Sequence, residues 1–165
     1  CLEIESRLDR VVGVHLRRYF YSRVLVDHPE MVRPIFTRGL PLLERLLVAA
    51  GWRSIRERMI DAMDLGPAQG DESRQIVAAE LDWLEERLAD GRRHLVGDRF
   101  TRADLTAASL LAPLARPEEH RVYAELPRPP AFAAEIASWE ERPGVRWVRE
   151  TYAKERHPPR SGSAS

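Results

Sequence analysis

The segment Leu95-Val96-Gly97-Asp98-Arg99-Phe100-Thr101-Arg102-Ala103-Asp104-Leu105 ends in two helix-start devices packed into six residues. Thr101 can accept the backbone N–H at the third helical position, and Asp104 can reach back to the N–H of Thr101. That is a capping box with Asp in place of the commoner Glu or Gln. Phe100, just outside the helix, can pack on Leu105 as a hydrophobic staple. The cap is typically worth about 1 kcal/mol. From Thr101 to Leu114 the residues are apolar on nearly every side: Leu105, Ala107, Ala108, Leu110, Leu111, Ala112 and Leu114. A helix of that kind belongs in the middle of a bundle. Its first N–H groups lie away from water, so losing the box should cost more than at a surface. Phe100, Thr101, Asp104 and Leu105 are therefore assigned a structural role.

Upstream, Asp71 to Asp90 reads as the clearest helix. Val77, Leu81, Leu84 and Leu88 form its buried stripe, and Glu80, Glu85, Glu86 and Arg87 decorate the wetter side. Gly91 stops it. The opening helix carries Ile4, Leu8, Val11, Val12, His15 and Tyr19 at three- and four-residue steps and can run no further than Pro29. Next comes a stripe of Phe36, Leu40, Leu43, Leu47 and Ala50, closed by Gly51, with Gly39 and Pro41 interrupting it. A short helix with Ile55, Met59, Ala62 and Met63 follows, ended by Gly66-Pro67. Downstream, Arg116 to Pro130 reads as a proline-rich loop. Two further helices carry Phe132, Ile136 and Trp139, then Val145, Val148 and Tyr152, and residues 158–165 read as a disordered tail. No strand alternation and no internal repeat stands out. The expected fold is all-α, a single helical bundle of about six to eight helices over residues 1–157.

Composition narrows the function. The chain has 165 residues and balances 26 basic against 26 acidic side chains. Only Lys154 among the basic residues is not Arg, and there is no Asn, a skew that fits a GC-rich coding bias. Zero net charge disfavours non-specific nucleic-acid binding. One cysteine, Cys1, excludes a disulfide framework and a thiolate metal cluster. Charges break every apolar run short of a membrane span, and no signal peptide opens the chain, so a reducing cytoplasm is expected. The five histidines (15, 28, 94, 120 and 157) show no metal-ligand spacing, and Glu118-Glu119-His120 sits in the proline-flanked loop. No metal and no nucleotide-binding motif is expected.

The run Trp83-Leu84-Glu85-Glu86-Arg87-Leu88, then Leu95-Val96-Gly97-Asp98, then Phe100-Thr101 through Ala103-Asp104-Leu105 resembles the C-terminal domain of glutathione transferases. His94 stands where that family commonly has Tyr or Phe. Arg142-Pro143-Gly144-Val145 resembles the family's last turn before its final helices, and Arg17-Arg18-Tyr19 is similar to a bacterial subset. The resemblance extends over residues 2–155 and is strongest between 77 and 114.

The resemblance implies a two-domain protein in which an N-terminal thioredoxin-like domain binds most of the glutathione and activates its thiol. That half is absent here, so this chain alone is expected to be inactive. Cys1 at a helix onset suggests a piece of a longer protein rather than a natural loss of the catalytic half. The helical domain would contribute the pocket for hydrophobic electrophiles and part of a homodimer surface, in a cytoplasmic detoxification enzyme. On this resemblance the substrate-side residues are His15, Arg18, Tyr19 and Ser22 on the first helix, with Tyr152 near the end. Core packing competes with that role for His15 and Tyr19, and a surface ion pair competes for Arg18. The resemblance also admits a non-catalytic assembly module, since such helical domains serve in translation factors, synthetase complexes and import proteins.

Overall fold

The computed structural model describes residues 1–29, 37, 39–124 and 130–156. Among them it forms seven α-helices and no strand. These are α1 (Leu2–Tyr21), α2 (Leu42–Ala62), α3 (Pro67–Leu88), α4 (Arg102–Ala115), α5 (Arg121–Ala124), α6 (Pro130–Glu140) and α7 (Pro143–Glu155), with a π-helical segment Ser22–Asp27 following α1. The fold is all-α. Phe36, the side chain of Phe132 and the tail at 158–165 fall outside the described residues.

The chain divides into two compact units. The first comprises residues 1–13 and 79–165, and α4 is its central element. Eight of the residues of α4 are buried: Ala103, Asp104, Ala107, Ala108, Leu111, Ala112, Leu114 and Ala115. The small alanines let neighbours approach closely, and α7 is the main one, with α6 beside it. Around them lie Ile4, Leu8 and Val12 of α1, Leu81 and Leu84 of α3, Ile136 and Trp139 of α6, and Val145 and Val148 of α7. The α4 surface is not closed on every side, however. Leu105 is 53% exposed, and Phe100 sets its ring edge-on to His94 at 6.3 Å.

Two acidic residues expected on the wetter side of α3 are instead engaged. Glu80 takes Arg7 in a bidentate pair at 2.8 and 2.9 Å, while the same guanidinium lies 4.2 Å from the Trp83 ring centre. Glu85 accepts from Arg142 Nε at 3.0 Å and Nη2 at 2.8 Å, and from the Gly144 N–H at 3.0 Å. It thus satisfies a first-turn donor of α7, where four N–H groups have no helical partner. Helical periodicity assigns a residue to a face but cannot see a partner sixty positions away.

The second unit is Val14–Ala78. Its small core has Leu25 and Leu65 at the centre, packed by Tyr21, Val24, Val26, Trp52, Met59, Ile60 and Met63. Arg56 donates to the carbonyls of Leu25 at 2.5 Å and Val26 at 3.1 Å, satisfying acceptors at the end of the π-helical segment. Gly51 does not stop a helix. α2 runs through it, because an interior glycine costs only about 1 kcal/mol relative to alanine. The stripe of Leu43 and Leu47 also faces outward, with Leu42 and Leu46 beside it, all four 59–72% exposed. Gly66-Pro67 marks a start rather than only an end. Pro67 is the first residue of α3, where a missing N–H costs nothing.

Candidate functional site: the α4 cap and the substrate-side residues

The N-terminus of α4 is built on one carboxylate. Thr101 is extended (φ −131°, ψ 176°), and the Thr101 and Asp104 side chains each pair with the other's backbone N–H. Asp104 Oδ2 accepts from the Thr101 N–H at 2.8 Å and from the Thr101 hydroxyl at 2.9 Å. Its other oxygen, Oδ1, accepts from the Leu95 N–H at 2.7 Å. Asp104 is fully buried and His94 nearly so, with His94 Nδ1 3.9 Å from Oδ1. A buried carboxylate is tolerated here because three donors replace water and the helix N-terminus adds a partial positive charge. Gly97 holds φ +69°, a turn conformation that a side chain would strain. Through Leu95, the carboxylate fastens the preceding turn onto α4 as well as capping the helix.

Four of the five substrate-side candidates lie in the second unit. His15 is half-buried, with Nδ1 3.2 Å from the Ser73 hydroxyl. Arg18 is spent on carboxylates: it pairs with Glu72 at 3.0 Å and with Asp64, and its Nε donates to the Asp64 carbonyl at 3.1 Å. Tyr19 is fully buried, its ring 5.1 Å from that of Phe20. Ser22 is buried too, and its hydroxyl accepts from the Gly66 N–H at 3.3 Å. A Cβ at position 70 would fall 2.9 Å from that of Ser22, so glycine permits this close approach. Tyr152 belongs to the first unit, where its ring stands edge-on to His120 at 6.0 Å and the Arg156 guanidinium lies 5.9 Å from its centre.

The first unit also holds a half-open cleft of about 220 Å³, lined by Gly91, Arg93, His94, Trp147, Thr151 and Lys154 among others. Trp147 Nε1 donates to the Arg93 carbonyl at 2.9 Å, fixing the indole as one wall. Its charged groups are already matched: Arg93 with Glu155 at 3.3 Å and Lys154 with Glu150 at 3.7 Å. The cleft itself is not visible in the sequence, because two segments more than fifty positions apart build it.

Residues 67–146 match the family described as glutathione S-transferase, C-terminal domain. This segment is a glutathione S-transferase C-terminal domain. No curated protein and no solved structure matches the chain. The match contains the whole Asp104 cap, the Glu80 and Glu85 anchors on α3 and the start of α7 at Arg142-Pro143-Gly144. It does not contain His15, Arg18, Tyr19, Ser22 or Tyr152. In this glutathione S-transferase segment the Glu85 hydrogen bonds hold the Arg142 guanidinium above its ordinary value against the opposing effect of burial, and Asp82, at 2.6 Å, adds to the shift. The pair fastens α3 to the start of α7.

Proposed function

We propose that this chain is the helical, substrate-side half of a glutathione S-transferase-like enzyme. The full-length protein conjugates glutathione to hydrophobic electrophiles, or reduces them with it. The observation that carries this reading is the family match over residues 67–146. The thiol and its activating residue reside on a thioredoxin-like domain upstream. Arg18, the one cation among the five candidates, is already paired, which supports placing the glutathione carboxylates on that other domain. In this reading His15 faces the electrophile side, Tyr19 and Ser22 support it through the packing of α1 and the segment that follows, Arg18 orders the end of α1, and the enzyme works as a cytoplasmic homodimer in detoxification.

A second reading, a non-catalytic assembly module, draws support from the same residues, since burial of Tyr19 and the pairing of Arg18 leave little to meet a ligand. One experiment separates the two. The protein is expressed together with its upstream coding segment, passed over immobilised glutathione and assayed for thiol conjugation against a panel of electrophiles. Retention and turnover are expected. An upstream segment without a βαβ pattern, or a folded product that neither binds nor turns over, overturns the enzyme reading in favour of the module.

A further inference from the structure

We draw no further inference here: the strongest candidate, the outward face of α2 that presents Leu42, Leu43, Leu46 and Leu47, is an unpartnered apolar surface, and nothing in the structure shows what covers it.

Discussion

α4 and α2 are both rich in leucine and alanine, yet they meet opposite fates. α4 has 14 residues and buries eight of them. α2 has 21 and buries none, although Trp52, Met59 and Ile60 are partly covered against the small core of Leu25 and Leu65. Two physical differences separate them. α4 carries no charge after Asp104, and its alanines let other helices close in on several sides. α2 distributes Glu44, Arg45, Arg53, Arg56, Glu57, Arg58 and Asp61 along its length. A charge left in an apolar interior is far more costly than an exposed leucine. Apolar content alone therefore does not place a helix; the charges decide how much of it can be enclosed.

That contrast can be broken at its strongest point. Asp104→Ala strips the acceptor from two backbone N–H groups and one hydroxyl in a dry site. At about 1–3 kcal/mol for each buried donor left unmatched, the expected loss is about 4 kcal/mol, or a fall in Tm on the order of 10 °C. Thermal and urea unfolding check it, with Asp104→Asn expected between the two. Wild-type melting of the alanine variant would mean that the carboxylate does not organise α4.

Glu85→Ala is next. It removes two hydrogen bonds from the part-buried Arg142 and frees the Gly144 N–H, for an expected loss of about 2 kcal/mol. The same unfolding curves report it, and hydrogen exchange should quicken first at the start of α7. Equal change across all helices would contradict a local anchor.

On α2 the expectation reverses. Leu46→Ala should alter stability by no more than about 0.5 kcal/mol, since its side chain stands mostly in water. A loss near the 2–5 kcal/mol typical of buried leucines would show that this face is enclosed in solution and would erase the contrast with α4.

The smallest effect concerns Asp90, at the turn after α3. Hydrogen bonds from Arg92 lower its pKa from an ordinary 3.8 to about 2. The folded state thus holds this proton more weakly than the unfolded chain. The pair helps stability above pH 3.8, and that help fades as pH falls towards 2. Both groups are exposed, so the effect on unfolding should be slight and screened by salt. NMR titration of the carboxyl should show a midpoint near 2, returning towards 3.8 in Arg92→Gln. An unchanged midpoint in that variant would remove Arg92 as the cause.

Much of the architecture was legible because it is local. Thr101 and Asp104 are three positions apart, and the Val77, Leu81 and Leu84 stripe repeats within a single helix. Pairings were not legible. Glu80 and Glu85 looked solvated because Arg7 and Arg142 lie 73 and 57 residues away. Gly51 looked like a stop, although its small intrinsic cost is easily outweighed once Trp52 and Met59 have a core to reach. The candidate site was the least legible part. Family likeness named His15, Arg18, Tyr19, Ser22 and Tyr152, but burial and ion pairing depend on neighbours that one helix's periodicity does not contain.

The sequence by itself determined an all-helical chain, its main helices, the capped start of α4 and the glutathione S-transferase C-terminal likeness. Each rests on spacing within a few turns or on a contiguous motif. Only the tertiary structure decided that Leu95 shares the Asp104 carboxylate, that Glu85 anchors α7, that Arg18 is already paired and that the leucines of α2 face water. Those outcomes depend on which distant groups come within hydrogen-bonding or packing range, a property of the folded chain rather than of any segment within it.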